Sequence, residues 1–230
     1  GGRNFEYYSE DGFLSGEMSE YEVAAIEEKG VGVVMKHFAL NDSEQDRIGL
    51  GVWLNEQAAR EIYLKAFQAP VEKGNANGVM IAYTRWGCTW SGGNKPLVTG
   101  ILREEWGCDG LIITDNVLTT YVNGVDGVLS GGSTFDAMMP YVTKLLPKYE
   151  KDPVIVNAMR EACHRNLYAI ANSSGMNGIG KDTEIKDTGL LVVNVVRTLL
   201  IVFGALFVLS LVMWITRKRR FKKNYVYAPV

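Results

Sequence analysis

Short apolar runs alternate with amphipathic segments along the first three quarters of the chain, up to roughly residue 175. Each apolar run begins at glycine, is continuous rather than alternating, and leads into polar residues, which is typical of parallel strands covered by helices. The pattern therefore predicts an α/β fold with a parallel sheet. The predicted strands are Gly32–Met35, Gly78–Ala82, Gly110–Thr114 and Gly124–Leu129, and the predicted helices are Met18–Lys29, Asn55–Lys73, Leu97–Trp106, Thr134–Leu146 and Asp152–Ala171.

Four strands are too few for a closed barrel of alternating strands and helices. Such a barrel has eight strands and typically needs about 250 residues. Two interpretations remain open at this point: a small open sheet, or a barrel whose N-terminal part lies outside these residues.

Polar side chains follow three of the predicted strands. Lys36 and His37 come after the first, Tyr83 after the second and Asp115 after the third. The carboxyl ends of parallel strands meet at one edge of a sheet, where functional groups cluster. The segment KHFALND alone is better explained as an ordinary strand exit, but convergent polar groups at equivalent positions favour a pocket.

A long apolar segment lies near the C-terminus. From Leu199 to Ile215 there is no charged residue, and a helix that begins at Leu190 has only Arg197 inside it. Its length and its lack of a polar stripe favour a membrane span over a buried core helix. The run RKRRFKK at Arg217–Lys223 then predicts, by the positive-inside rule, a cytoplasmic C-terminus and an extracellular domain before Leu190.

Composition excludes several classes of function. The net charge is −2, so the bulk charge balance does not indicate a nucleic-acid partner. The three cysteines form no CxxC pair, which favours free thiols over a zinc site, although a bridge between Cys88 and Cys108 remains open. No phosphate-binding loop, dinucleotide fingerprint or metal-ligand motif is present, and we therefore expect no cofactor.

Five ordered segments together resemble a known family. They are GRNFEYYSED (Gly2–Asp11), KHFALND (Lys36–Asp42), VMIAY (Val79–Tyr83), LREEWGCDG (Leu102–Gly110) and IITDN (Ile112–Asn116). In order and spacing they are similar to the second half of the catalytic barrel of family 3 glycoside hydrolases. The resemblance implies a partial TIM-type barrel and retaining hydrolysis of a β-linked glycoside such as a glucoside or xyloside.

The resemblance also implies roles for individual residues. Asp115 in TDN corresponds to the catalytic nucleophile, and the pair Lys36 and His37 to groups that bind sugar hydroxyls. The remaining implied sugar-binding residues are Arg3 of the GR motif, Met80 and Tyr83 of VMIAY, and Arg47 in a QDR segment that approximates the family's ETNR.

The sequence departs from the family pattern around the nucleophile. Asn116 stands where the family usually has a Trp that walls the sugar subsite. The family's general acid normally comes from a second domain. We therefore expect such a domain, outside these residues, in the longer parent protein, where it supplies the general acid. Glu10, Glu44 and Asp46 are available carboxylates, but Glu10 is expected to hold its loop and the other two to be surface charges.

The segment Asn157–Gly178 resembles the end of the barrel in members with reversed domain order, in which an anchor can follow directly. The predicted organisation is a partial barrel at residues 1–175, a linker at 176–189, a transmembrane helix at 190–216 and a basic tail at 217–230. The expected function is that of a membrane-anchored β-glucosidase-like enzyme. The alternatives are a non-catalytic carbohydrate-binding protein and an inactive fragment whose half barrel leaves sheet edges unpaired.

Overall fold

The computed structural model describes residues 2–117, 120–137, 142, 144, 146–184 and 188–224, with side chains of the last helix described as far as residue 218. The chain divides into two compact units, Gly1–Asn177 and Gly178–Val230. The first unit is an α/β fold, and the second contains one long helix.

A parallel sheet of three strands forms the centre of the first unit. Strand β3 (Gly78–Ile81) lies between β1 (Val34–Phe38) and β6 (Leu111–Thr114). All three coincide with predicted strands, although β1 begins and ends two or three residues later than expected. The ladder continues past the strand ends, because Ala82 N donates to Phe38 O over 2.7 Å and Asp115 N donates to Ile81 O over 3.0 Å.

The fourth predicted strand is wrong. Gly124–Leu129 is helix α4, whose first turn is capped by the Asn123 side chain. The buried residues Gly124, Gly127 and Val128 lie three and four positions apart, which is the spacing of one helix face. The two glycines allow close packing, since a methyl group at Gly127 would stand 3.0 Å from the Phe135 ring.

Part of the predicted helix Thr134–Leu146 is also wrong. Residues 134–137 are extended beside β6, with parallel bridges that pair Ile113 with Thr134 and Val117 with Ala137. Thr114 N donates to Thr134 O over 3.1 Å, and Val117 N donates to Asp136 O over 2.7 Å. The fourth parallel element therefore comes from this segment, while residues 138–141, 143 and 145 of the predicted helix lie outside the described residues.

Side-chain caps fix where the helices begin. Asp11 accepts hydrogen bonds from the backbone N–H groups of Phe13 and Leu14, so that α1 begins six residues before the predicted start. Asp152 caps α5 in the same way, with Pro153 at its first position. The helices are α1 (Gly12–Glu27), α2 (Glu56–Ala58), α3 (Lys65–Glu72), α4 (Gly124–Leu129) and α5 (Pro153–Ala171), with π-helical segments at Ala59–Tyr63 and Pro96–Glu105 and short 3₁₀ turns at Asn4–Glu6, Ser91–Gly93, Leu146–Tyr149 and Ser174–Met176.

The main sheet is packed between these helices by fully buried apolar side chains. Phe38 at the end of β1 makes edge-to-face contacts with Phe67 and Trp106, at centroid distances of 5.3 and 5.9 Å. These contacts join β1 to α3 and to the end of the π-helix Pro96–Glu105. Other buried members of this core are Leu64, Val79, Ile81, Leu97, Val98, Leu102 and Ile112.

A second, smaller sheet lies in the connections that follow β1 and β3. It consists of β2 (Gly51–Val52), β4 (Arg85–Trp86) and β5 (Thr89–Trp90), with β4 parallel to β2 and antiparallel to β5. Trp90 anchors it to the main sheet, because its indole N–H donates to Ala82 O over 3.0 Å.

The second unit contains helix α6 (Thr188–Asn224). By length and composition, Thr188–Lys218 is the one helix in the described part of the chain that could cross a membrane, with a mean hydropathy of 2.6. The large apolar side chains between Leu190 and Ile215 are exposed, and Lys218 lies 4.8 Å from the centroid of the Trp214 ring.

Replacement of Gly110 tests the close approach of β6 to β3. A methyl group at Gly110 would lie 1.8 Å from Asn77 O, the atom that accepts from Leu111 N, so Gly110→Ala has to force the two strands apart. We expect a loss of about 3 kcal/mol or more in unfolding free energy, measured by urea denaturation.

Gly100→Ala is the matched control, since a methyl group there meets nothing within 4 Å and the residue is helical. We expect that variant to be neutral or to gain about 0.5–1 kcal/mol from helix propensity. Equal stability of the two variants would contradict the strand packing described above.

Candidate functional site

The carboxyl ends of the three parallel strands bring together most of the residues predicted for the site. Lys36 and His37 lie within β1 rather than after it, which corrects the predicted strand end by three residues. Tyr83 lies two residues after β3, and Asp115 directly follows β6. Because the strands are adjacent and parallel, these side chains reach the same edge of the sheet.

Asp115 lies at this edge at the end of β6, with its carboxylate largely shielded from solvent. Its Oδ1 accepts a hydrogen bond from the backbone N–H of Asn116 over 2.7 Å. Its Oδ2 lies 3.5 Å from His37 Nε2. One carboxylate oxygen is thus held by the backbone, and the other faces an imidazole.

His37 connects Asp115 to Arg3. Arg3 Nη1 lies 2.9 Å from His37 Nδ1, on the opposite side of the ring from Asp115. Burial lowers the pKa of His37 below its ordinary value of 6.5, and the positive charges of Lys36 and Arg3 act in the same direction against the opposing effects of Asp115 and Glu6. The imidazole beside Asp115 is therefore neutral near neutral pH.

Arg3 is buried and anchored by four further groups. Its Nε lies 2.8 Å from Glu44 Oε1 and 3.4 Å from Glu6 Oε1, and its Nη2 donates to the Tyr7 hydroxyl and to the backbone carbonyl of Asn41. Two carboxylates and a carbonyl therefore compensate a guanidinium that would be costly to bury alone.

Lys36 is the exposed cation of the site. Its ammonium group donates to Glu6 Oε2 over 2.6 Å, with the Lys36 side chain 47% exposed. Burial would raise the pKa of Glu6, but the hydrogen bond and charge of Lys36, together with His37 and Arg3, lower it below its ordinary value. Lys36 and Arg3 thus have carboxylates other than Asp115 as their partners.

Tyr83 lies on the β3 side of Asp115. Its hydroxyl donates to the Asn116 carbonyl over 2.8 Å, and burial and the charge of Asp115 raise its pKa to about 12. The phenol is therefore a permanent donor at working pH. The Arg47 guanidinium lies 4.5 Å from the centroid of the Tyr83 ring and is held by Glu44, whose Oε2 lies 3.0 Å from Arg47 Nη1.

Met80 is the remaining predicted site residue. It pairs with Ile113 in the β3 to β6 ladder and is half-buried between the fully buried neighbours Val79 and Ile81. The strand alternation therefore directs Met80 to the opposite face of the sheet from those two residues. Its predicted sugar contact stays a prediction.

A cavity of about 450 Å³ opens on the β1 side of the cluster. Lys36, His37 and Glu6 lie on its wall, together with Tyr7 and Asn41 of the segments that hold Arg3. The polar groups at the end of β1 are therefore accessible from this side.

Sequence reasoning missed two residues of the cluster. Glu44 was expected to be a surface charge, but it is half-buried and bridges Arg3 and Arg47. Tyr121 packs edge to face on Tyr83 at 4.9 Å, and its hydroxyl donates to the Asp115 carbonyl over 3.3 Å. Glu44 lies in the segment that approximates ETNR, which is the signal that could have identified it, whereas no motif pointed to Tyr121.

Within the described ranges, no group of three or more His, Cys, Asp and Glu side chains is placed to hold a metal ion. The expectation that the protein needs no cofactor stays a prediction.

The fold and the site define an α/β protein with a shielded carboxylate and several sugar-compatible donors at the carboxyl ends of parallel strands. Residues 1–128 match the family model described as the glycosyl hydrolase family 3 N terminal domain. That match covers more than half of the chain, and the chain therefore belongs to glycoside hydrolase family 3.

Similar proteins are considerably longer than this chain. A probable β-glucosidase I of Emericella nidulans is 39% identical over 144 residues, which cover 63% of this chain and 17% of the relative. An exo-α-(1→6)-L-arabinopyranosidase of Bifidobacterium longum is 42% identical over 115 residues, 50% of this chain and 15% of that protein.

A solved structure shows the same fold. The β-glucosidase 3B of Thermotoga neapolitana in complex with glucose superimposes with a TM-score of 0.71 at 30% sequence identity. The match covers 76% of this chain and 26% of that structure.

Proposed function

We propose that this chain carries the nucleophile half of the active site of a retaining β-glycosidase of the β-glucosidase type. The observation that carries the proposal is the placement of Asp115, with a neutral imidazole on one carboxylate oxygen and a backbone N–H on the other. An oriented carboxylate that is shielded from bulk solvent suits the first step of retaining hydrolysis.

In this proposal Asp115 attacks the anomeric carbon while the glycosidic bond breaks and the general acid protonates the leaving oxygen. Water, deprotonated by the same acid–base group, then hydrolyses the covalent glycosyl intermediate and releases Asp115. The donors around it bind the sugar: Arg3, Lys36 and His37 on the β1 side, and Arg47 and Tyr83 on the β3 side, with Met80 lining the same subsite. Hydrogen bonds of this kind accelerate the reaction when they are stronger in the transition state than in the bound substrate.

The general acid belongs, in this proposal, to a part of the parent protein outside these residues. Retaining enzymes need a second carboxyl group roughly 5–5.5 Å from the nucleophile. Two acidic groups of the cluster, Glu6 and Glu44, are engaged with Lys36, Arg3 and Arg47. The matched residues cover only 17% and 15% of the two relatives named above, so a parent protein of similar length has room for another domain.

We further propose that the first unit is the second half of a TIM-type barrel, in a parent protein with reversed domain order. In the described residues, β1 has a ladder partner on one side only, and four parallel elements follow one another from β1 to residues 134–137. A preceding set of strands would cover the free edge of β1 and close the sheet.

The substrate of this proposal is a β-linked glycoside, with a glucoside as the first candidate because of the β-glucosidases among the relatives. The arabinopyranosidase relative carries a different specificity on a similar sequence. Sugar preference therefore has to be measured across several aryl glycosides.

Helix α6 is proposed to anchor the protein in the cell membrane, with the span at residues 190–216 in contact with lipid. The apolar surface of the helix, with Arg197 as its one charged residue between 190 and 216, supports a membrane span, and the basic run that follows supports an orientation with the barrel domain extracellular and the basic tail, residues 217–230, cytoplasmic.

A second candidate function is a membrane-anchored carbohydrate-binding protein without catalysis. Asn116 is the observation that favours it, because the residue after the nucleophile presents an amide in place of the family's usual indole. Loss of that aromatic surface weakens stacking on the sugar in its subsite.

Substitution of the nucleophile distinguishes the two candidates. In the longest protein that contains these residues, Asp115→Asn should lower kcat on aryl β-glycosides at least about a thousandfold, because a neutral amide does not form the covalent intermediate. Sugar binding, measured by calorimetry, should change little.

We expect residues 1–230 alone to show little or no turnover.

Asp109→Asn is the matched control, since Asp109 is an exposed carboxylate paired with Arg165. It should leave kcat within about twofold of the unmodified value, because an exposed ion pair contributes little to stability. Robust binding with no turnover in the unmodified protein would favour the second candidate, and full activity of Asp115→Asn would refute the first.

The cysteines provide a test of membrane orientation. Cys88 and Cys163 are exposed and Cys108 is buried, all in the unit that precedes α6. A membrane-impermeant maleimide applied to intact cells should label Cys88 and Cys163 but not Cys108.

The control is Val230→Cys in a protein with Cys88 and Cys163 replaced by Ser, which should be labelled only after lysis. Labelling of Val230→Cys in intact cells, or of Cys88 and Cys163 only after lysis, would contradict the proposed orientation.

A further inference from the structure

The contacts of His37 determine where its single proton lies. An arginine side chain has five N–H donors and no acceptor, so an imidazole nitrogen that contacts it must offer a lone pair. Arg3 Nη1 is 2.9 Å from His37 Nδ1, and this nitrogen is therefore the acceptor. The proton of the neutral ring is left on Nε2, which lies 3.5 Å from Asp115 Oδ2.

Arg3 is fixed independently of His37. Its Nη2 donates to the Asn41 carbonyl and to the Tyr7 hydroxyl, and its Nε faces the carboxylates of Glu44 and Glu6. Arg3 is only 5% exposed, so water does not compete for its donors. The guanidinium is therefore a rigid donor aimed at one nitrogen of the ring.

We propose that Arg3 is a positioning residue that holds His37 as the neutral tautomer protonated on Nε2, so that a neutral N–H faces the carboxylate of Asp115. The role in catalysis rests on the function proposed above, whereas the tautomer itself does not depend on it.

The physical consequence concerns the charge next to the nucleophile. A cationic His37 would form an ion pair with Asp115, which stabilises the carboxylate before attack and so reduces its nucleophilicity. The Arg3 donor occupies the lone pair that a second proton would need. Lys36 adds a second positive charge against protonation, while Asp115 and Glu6 are the carboxylates that favour it.

Nitrogen NMR of the full chain in detergent micelles tests the tautomer directly. The chain has two histidines, His37 and the exposed His164, so selective ¹⁵N-histidine labelling gives two spin systems. We expect His37 to show one protonated Nε2 and one unprotonated Nδ1 at neutral pH. The preference should be about tenfold or more, which is what one hydrogen bond to a charged donor supports.

Three variants test which side chain selects the tautomer of His37. Arg3→Met should move both His37 nitrogen signals toward the values of a mixed or protonated ring, because the lone pair of Nδ1 is released. Arg47→Met removes another cation of the same cluster, one that stacks on Tyr83, and should leave the His37 signals in place. Asp115→Asn should retain the Nε2 proton, since Arg3 rather than the carboxylate selects it.

The result that overturns the proposal is a His37 spectrum with the proton on Nδ1, or with equal populations, in the unmodified chain. A change of tautomer in Asp115→Asn with Arg3 intact would also overturn it. Near-UV circular dichroism of the buried aromatic side chains reports whether a variant is folded, and if Arg3→Met fails to fold, the spectra of the unmodified chain and of Asp115→Asn still decide.

These readouts do not require turnover. An Nε2-protonated His37, together with no turnover by the longest protein that contains these residues, would uphold the tautomer and refute the catalytic function. Conversely, activity together with an Nδ1-protonated ring would uphold the function and refute the positioning role of Arg3.

Discussion

The parallel register of β1, β3 and β6 is the constraint on which the site depends. The ladder pairs Val79 with Ile112 and Met80 with Ile113, and it continues past the strand ends to Asp115 N and Ile81 O. A shift of one residue would turn Asp115 to the opposite face of the sheet and away from His37. The contact between Gly110 and the Asn77 carbonyl fixes this register where β6 begins.

The second organising feature is the distribution of charge. The cations of the cluster are compensated by carboxylates other than Asp115: Lys36 by Glu6, Arg47 by Glu44, and Arg3 by both acids. The neutral ring of His37 lies between Arg3 and Asp115. In the proposed tautomer its Nδ1 accepts a hydrogen bond from Arg3, and its Nε2–H faces Asp115. In the described residues the Asp115 carboxylate therefore has a backbone N–H and a neutral imidazole beside it and no lysine or arginine as a direct partner, which suits the attacking role proposed for it.

The sequence was sufficient for the central strands and for the residues that converge at their ends. Glycine-bounded apolar runs located β1, β3 and β6, because strands buried on both faces have to be continuously apolar. The same rule failed at Gly124–Leu129, where the glycines are interior-facing positions of a helix packed on Phe135. The bridges of residues 134–137 depend on partners more than 15 positions away, which local periodicity does not report.

Within the site, the resemblance to family 3 located Asp115, His37 and Arg3 but not their mutual contacts. It assigned Arg3 to the substrate, which stays a prediction, and it did not indicate that the guanidinium also contacts His37, Glu44 and the Asn41 carbonyl. Ion pairs across 30 or more residues, such as Lys36 with Glu6 and Arg3 with Glu44, follow from the tertiary fold alone.

The central claim is that Asp115 is a nucleophile, and covalent trapping tests it most directly. The longest protein that contains these residues is incubated with a 2-deoxy-2-fluoro-β-glycoside that carries a good leaving group, digested, and examined by mass spectrometry. The account predicts one fluoro-sugar attached to the peptide that contains Asp115. A label on another carboxylate, or none despite measurable sugar binding, would contradict it.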